Sequence, residues 1–586
     1  MIGSPSSTSG LTIDILGTAS TKSLVGNICV FEYTQDGKEH FALGQINEVT
    51  LQNIWTQDPT MRGIIRQKGQ VYPITERQDV HTANMSVSSV FANHAGIIGP
   101  SMLGTVPSTG TMIKLLDEGM MQSLLGQFSN ELFYLGKAYG TSIKMPMWFK
   151  HFGKGAQSAQ EAYHIGIFGK TGSGKSIMSI MMTIGYARHK EMSIFILDPQ
   201  GQFTKEFKKE PIKQLFEKNI ERTIEFINLH NMVLSGDELF EKILINSNFL
   251  RNWASIKHPE NQKVAFRIIK NILKGNNIKP WDYHKDESFG KVWGKLSTDD
   301  HLHRVIYTSD ESRQTMANTM ESANLEEVRT DWRKITNLFS YGDNGGKKKI
   351  KDLVESLLIK QTNGKILIID LCDSNIPPDI YWTEDIKHII IGELLSELSK
   401  AAENQYKEEK LLNTLVIIDE AHRLAPRDKF ENEQLEYVKS ILIDSIRTTR
   451  KYGLGWLFIS QSLSSLHKEI INQLRIYVFG YGLAWGVEYQ ALRELMGGQE
   501  EAIKLYRLFK DPHTSLGDRE YSFMTQGPIS PLSFSGTPLF ITSLKYDDEF
   551  IRVNFQNTSQ ETPTKLEHNE ESTKESTVDG TVPHKE

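Results

Sequence analysis

The chain has 586 residues, 39% of them hydrophobic and 24% charged, with a net charge of −6. That length exceeds one compact core and suits two to four domains of an ordinary globular kind. The charge excludes a generally basic nucleic-acid-binding surface, so any DNA contact must come from a local patch such as the lining of a pore.

Two distant cysteines, Cys29 and Cys372, give no disulfide framework and no CxxC pair, which fits a reducing cytosol. No run of 18 apolar residues and no signal pattern stands out. A cytoplasmic chain without a membrane span is therefore expected.

Residues 1–10 (MIGSPSSTSG) are polar and are expected to be disordered. Residues 11–150 read as β-rich. The runs 28–33 and 40–50 flank the turn Gln35-Asp36-Gly37, and shorter strands follow at 97–100 and 111–113. Many short strands with glycine turns predict a small barrel, with a mixed α+β cap as the alternative. Residues 115–125 read as one helix within it.

At 151–205 an apolar strand, Tyr163 to Phe168, runs into Gly169-Lys170-Thr171-Gly172-Ser173-Gly174-Lys175-Ser176, and a helical pattern follows to about Arg188. Strand, glycine-rich turn and helix are the context that makes this a phosphate-binding loop. Its backbone N–H groups and the helix N-terminus, through Ile177, would cradle the phosphates of ATP. Lys175 is placed to reach the β/γ oxygens, and the Ser176 hydroxyl to sit on Mg²⁺. A strand at 192–197 ends in Asp198, which either joins the ligand crevice or starts the Pro199-Gln200-Gly201 turn.

Residues 206–360 are Lys/Asn-rich with helical periodicity, as in Lys263 to Leu273, and read as a helical insertion. The Gly345-Gly346-Lys347-Lys348-Lys349 run reads as an exposed, solvated loop, with phosphate contact as the alternative. From 361 to 553 strands at 365–371, 414–420 and 454–461 alternate with helices at 384–402 and 434–451, the pattern of a doubly wound, mostly parallel α/β sheet. Residues 554–586 are Ser/Thr/Glu-rich and are expected to be disordered.

Val416 to Glu420 is an apolar strand ending in two acids, and such acids face the ligand crevice of a parallel sheet. Asp419 would hold Mg²⁺, and Glu420 would polarise the attacking water. Gln461, at the end of the next strand, can sense the γ-phosphate. His422 reads as packed rather than catalytic. Arg447 and Arg450 share a helix face near Tyr452-Gly453, where either a capping role or an arginine finger is available.

Together the segments IGIFGKTGSGKS, Asp198-Pro199-Gln200-Gly201-Gln202, IIDEAHR at 417–423 and RTTRKYGLGWLFISQ at 447–461 resemble the HerA branch of the HerA–FtsK ATPases. Ala42 to Ile46 resembles the small (HAS) barrel that precedes the ATPase in that family. The resemblance spans roughly 11–545 and implies a RecA-like P-loop ATPase core. It further implies a homo-hexameric ring that moves double-stranded DNA through its pore as a translocase or helicase. It favours Arg450, ahead of Arg447, as the finger reaching a neighbouring subunit. A partner nuclease or effector docked on the barrel is also implied. Some bacterial relatives pair with a nuclease or NAD-degrading effector in anti-phage defence. The alternative is a nucleotide-switched scaffold that docks an effector with little motor activity. Two departures stand out. Gln202 cannot act as a base where the family often has an acid, and Tyr163-His164 lack the arginine that some relatives carry.

Overall fold

The computed structural model describes residues 1–556 except 69–77, 95, 156–157, 343–345, 359–363, 534–535 and 547. Six strands open the chain: β1 (Leu11–Asp14), β2 (Ile28–Gln35), β3 (Lys38–Asn53), β4 (Asp79–His94), β5 (Ile97–Ser101) and β6 (Lys114–Leu115). They form one sheet in the order β1-β4-β3-β2-β6, with β5 on β4. The β2–β3 hairpin closes through Asp36 and Gly37, both left-handed at φ 55° and 72°. That twist suits a two-residue hairpin, which explains the Asp-Gly pair.

The strand pairs run as an open path from β1 to β6 among the described residues. The chain's first residues bond to β1 and to the segment just before β6. Gly3 N–H donates to Thr12 O and Asp14 N–H to Met1 O on one side (2.8 and 2.9 Å); on the other, Ile2 N–H donates to Thr111 O and Gly110 N–H to Ile2 O (both 2.8 Å). Ile2 is buried in the apolar cluster of this sheet. The expected disorder of residues 1–10 is therefore corrected: one apolar side chain and paired main-chain groups hold the segment. The strand expected at 111–113 starts later, at Lys114. The helix expected at 115–125 starts at Glu118, where the Asp117 carboxylate caps Met120 N–H at 2.8 Å.

The second sheet has eleven strands. They are β7 (Leu132–Ala138), β8 (Lys144–Trp148), β9 (His164–Phe168), β10 (Ser193–Asp198), β11 (Ile224–Ile227), β14 (Ile366–Asp370), β15 (Thr414–Ile418), β16 (Leu454–Ser460), β17 (Ile476–Phe479), β18 (Ser522–Gln526) and β19 (Leu539–Ser543); β12 (Met232–Val233) and β13 (Lys348–Lys349) form a separate short pair. Their order is β11-β14-β10-β15-β16-β9-β17-β18-β19-β7-β8, parallel as far as β17 and antiparallel beyond it. This mostly parallel, helix-covered sheet is the expected α/β class.

Strand residues alternate between two cores. Ile194, Ile196, Leu415, Ile417, Leu457 and Ile459 pack with the helix Lys175–Ala187. Phe195, Leu197, Val416, Ile418, Trp456 and Phe458 pack with the helix Glu384–Lys407. A period of two, with apolar residues at both phases, is what burial on both faces demands.

Three expected boundaries move. β7 and β8, assigned to the 11–150 segment, belong to the large sheet, because Gly136 to Ala138 pair with β19. β11, inside the expected insertion, is an edge strand of that sheet on β14. Near the C-terminus the helix Glu549–Phe555 includes two residues of the expected tail; Asn554 bonds both main-chain groups of Tyr134, and Phe555 packs on Phe133. Residues 557–586 of that tail lie outside the described residues. The insertion's helices enclose Trp332, whose indole donates to Tyr283 O at 2.7 Å. In the lysine run, Lys348 and Lys349 pair with β12, Lys348 meets Glu225, and burial lowers the Lys347 pKa. Gln45 ties the two sheets: its buried amide accepts from Phe540 N–H (2.9 Å) and donates to Phe540 O (3.1 Å).

Candidate active site

The site forms where β9, β15 and β16 end. β9 lies between β16 and β17, and β16 lies between β9 and β15. The loop after β9 thus has the Gln461 strand on one flank and β17 on the other. Two of its glycines are left-handed, Gly172 at φ 81° and Gly174 at φ 86°, a conformation that disfavours any residue with a Cβ. Both also lack room. A Cβ on Gly172 would fall on the His513 ring, and one on Gly174 would lie 2.5 Å from Cγ of Tyr521.

Lys175 opens the helix and is buried, with its ammonium donating to Lys170 O at 3.1 Å. Burial lowers its pKa, while Glu420 and Asp419 pull the other way. The lysine and the acid pair therefore share one electrostatic pocket. Ser176 is half-buried on the first helical turn.

Asp419 and Glu420 directly follow β15, with 4% and 8% exposure. Asp419 Oδ1 accepts from Glu420 N–H at 2.9 Å, and Oδ2 is buried without a hydrogen-bond partner. Its pKa is pushed up to about 7, first by burial, then by Glu420 and Asp198. A buried carboxylate with an open lone pair suits a divalent cation. Among the described residues no cluster of three acids, histidines or cysteines could hold a metal alone. Glu420 sits at φ 50°, a left-handed backbone for a residue with a side chain. Such strain at a strand end is a frequent mark of a working site.

One amide joins the loop to the acid. Thr171 Oγ1 donates to Gln461 Oε1 at 3.0 Å, and Gln461 Nε2 donates to Glu420 Oε1 at 2.7 Å. The loop that follows Gln461 is gathered by Glu488, whose carboxylate accepts from Leu463 N–H (2.8 Å) and Ser464 N–H (3.2 Å) and from both serine hydroxyls, Ser462 and Ser464. His422 Nδ1 stands 3.4 Å from Ser460 Oγ and from Glu420 Oε2, and burial lowers its pKa.

Asp198 starts the turn and also lies close enough to Asp419 for its charge to raise that carboxyl's pKa. The Asp198 oxygens accept from Gln202 N–H (3.0 Å) and Thr204 N–H (2.7 Å), which starts the next helix. Gln202 opens that helix.

Arg447 and Arg450 lie at the opposite end of the sheet. Arg450 O accepts from Ala162 N–H, two residues before β9 begins, whereas the phosphate loop starts one residue after β9 ends. Five strand residues at ~3.3 Å each separate the two ends by about 16 Å. Each arginine is half exposed and meets one surface acid: Arg447 with Glu469 at 2.7 Å, Arg450 with Glu161 at 3.2 Å.

Tyr521, His513 and Glu488 were not legible as site residues. None lies in a motif; only strand pairing and chain reversal bring them to the loop.

A family model described as the central domain of helicase HerA matches residues 162–398, from just before β9 through most of the helix Glu384–Lys407. No curated protein matches the chain. Among solved structures, VirB4 of Thermoanaerobacter pseudethanolicus is similar at 14% identity and a TM-score of 0.37, over 71% of this chain and 97% of that one. The genome packaging NTPase B204 of Sulfolobus turreted icosahedral virus 2, in complex with ATP-gammaS, is similar at 10% identity and a TM-score of 0.29, over 66% and 98%. The plasmid coupling protein TrwB, with a non-hydrolysable GTP analogue, is similar at 13% identity and a TM-score of 0.31, over 66% and 80%. With a match to the HerA central domain that begins just before β9 and takes in the phosphate loop, the chain reads as an ATP-hydrolysing P-loop enzyme.

Proposed function

We propose that this chain is a Mg²⁺-dependent ATPase that drives duplex DNA through a ring of its own copies. The observation that carries the reading is the Gln461 amide, bonded at once to the phosphate loop and to Glu420. A triphosphate seated on residues 169–177 would bring its γ end to that junction. Lys175 would neutralise charge on the β/γ oxygens. Glu420, with Oε1 held by Gln461, would accept a proton from water through Oε2 as the water oxygen attacks the γ-phosphorus and ADP leaves. Ser176 and Asp419 would hold Mg²⁺, whose contribution is to neutralise charge between the β and γ oxygens. The orphaned Asp419 Oδ2 supports that assignment.

The arginines support the ring. At the far edge, neither can reach its own chain's nucleotide, so Arg450 would act as a finger on the next copy in a head-to-tail ring. The match to the HerA central domain and the resemblance of the motifs support a hexamer and duplex DNA as cargo. The N-terminal sheet is the docking place we assign to a partner nuclease or effector.

The test is ATP turnover of the purified full chain with and without duplex DNA. Lys175→Ala and Glu420→Ala should abolish turnover, and DNA should stimulate the wild type. Wild-type rates in both variants would remove the assigned roles. No stimulation, together with a stable complex with an effector, would favour a nucleotide-switched scaffold.

A further inference from the structure

We propose that Tyr521, with Ile177, forms the nucleobase subsite of this pocket. The inference rests on the triphosphate reading and extends it to the other end of the nucleotide.

β18 pairs antiparallel to β17, with Phe479 opposite Met524. Phe479 is the last residue of β17, so Tyr521, just before β18, lies beyond the carboxyl ends of β17 and β9. The phosphate loop opens at this same edge. The Tyr521 ring lies against Gly174, the residue before Lys175. Ile177 and Tyr521 are both partly buried against the same apolar cluster, each leaving surface uncovered. Tyr521 is held firmly: its carbonyl accepts from Ser543 N–H at 2.8 Å, and Phe523, two residues on, is fully buried.

The direction of the ligand follows from the two flanks of the loop. On the β16 flank, Thr171 is bonded to Gln461, and Gln461 to Glu420. This is the end for water attack, hence for the γ-phosphate. A triphosphate lying along the loop from there points its ribose and base toward Gly174 and the first helical turn, on the β17–β18 flank. The ring waiting there is aromatic, and a flat π face stacks on any base. The aliphatic Ile177 offers a second wall.

The test compares ATP with inorganic tripolyphosphate, which has the phosphates and lacks the base. Binding of each to the full chain is measured by calorimetry for wild type, Tyr521→Ala, Tyr521→Phe and Lys175→Ala, alongside steady-state ATP hydrolysis. Tyr521→Ala should weaken ATP about tenfold and raise KM by a similar factor. It should leave kcat within about twofold and tripolyphosphate affinity unchanged, while Tyr521→Phe stays near wild type. Unchanged ATP affinity in Tyr521→Ala would overturn the proposal. So would an equal loss of tripolyphosphate, which would mean a distorted loop. Lys175→Ala should weaken both ligands; if it weakens neither, the phosphate reading fails first.

Discussion

At the carboxyl edge of the parallel sheet, Asp419, Glu420 and Lys175 are each under 10% exposed, and two carboxylate oxygens, Asp419 Oδ2 and Glu420 Oε2, have no hydrogen-bond partner. At the amino edge, Arg447 and Arg450 are half exposed and each meets one surface acid. The same strands join both edges, yet the two keep their charges differently. The buried edge holds groups that the fold alone leaves unsatisfied, at a cost in stability that a ligand can relieve. The exposed edge holds charges whose local pairs are worth only ~0–1 kcal/mol each, so a stronger acceptor can take them. In the proposed function, one edge receives the nucleotide and the other lends a cation elsewhere.

The largest effect should come from the buried edge. Lys175→Ala is expected to lower ATP turnover by at least ~10³ and to abolish the rise in melting temperature that Mg-ATP gives the wild type. Glu420→Gln should lower turnover by ~10² to 10⁴ while binding ATP normally, the signature of a lost proton acceptor. Equilibrium binding and single-turnover kinetics separate the two.

Arg450→Ala should cut turnover by roughly 10³ at unchanged ATP affinity if the arginine serves the next copy. Mixing makes this sharper. Arg450→Ala chains retain an intact nucleotide edge, and Lys175→Ala chains an intact arginine edge. Mixed oligomers should recover activity that neither variant has alone. No recovery on mixing would collapse the contrast between the edges. Arg447→Ala should do less.

Gln461→Ala should reduce turnover by about 10- to 100-fold, since it removes the link between Thr171 and Glu420 but neither phosphate nor proton ligand.

The smallest effect is on stability. Asp419 ionises at about 7 in the fold against 3.8 unfolded. Between those values the folded state keeps a proton that the unfolded state has lost, so stability falls as pH rises toward 7 and levels off above it. Asp419→Asn should therefore raise the melting temperature of the nucleotide-free protein by a few degrees at pH 8, with the gap closing as pH falls toward 5. Scanning fluorimetry across that range reads it. Arg450→Ala, by contrast, should shift melting by under about 1 °C at any pH.

Much of this was legible in the chain itself. The phosphate loop, Asp419-Glu420 and Gln461 each end an apolar strand, and local pattern alone marks such ends. Alternating strands and helices likewise predict a parallel sheet. The N-terminal segment was misjudged because composition registers its serines and misses the main-chain bonds of Ile2 to Gly110 and Thr111, over a hundred residues on. The boundary at 150 failed for a related reason: β7 reads as one more strand until its partner, β19, some 400 residues on, claims it.

What the sequence determined by itself is the chemistry, because a phosphate loop or an acid-ended strand is written in consecutive residues whose local conformation follows from their own sterics. Only the tertiary structure decided the geography. It put β16 between β9 and β15, so that Gln461 touches both loop and acid. It brought Tyr521 and His513 over the glycines from more than 300 residues away, and set the arginines on the far edge. Sheet order and reversal of direction arise from long-range burial and backbone pairing, which no local window contains.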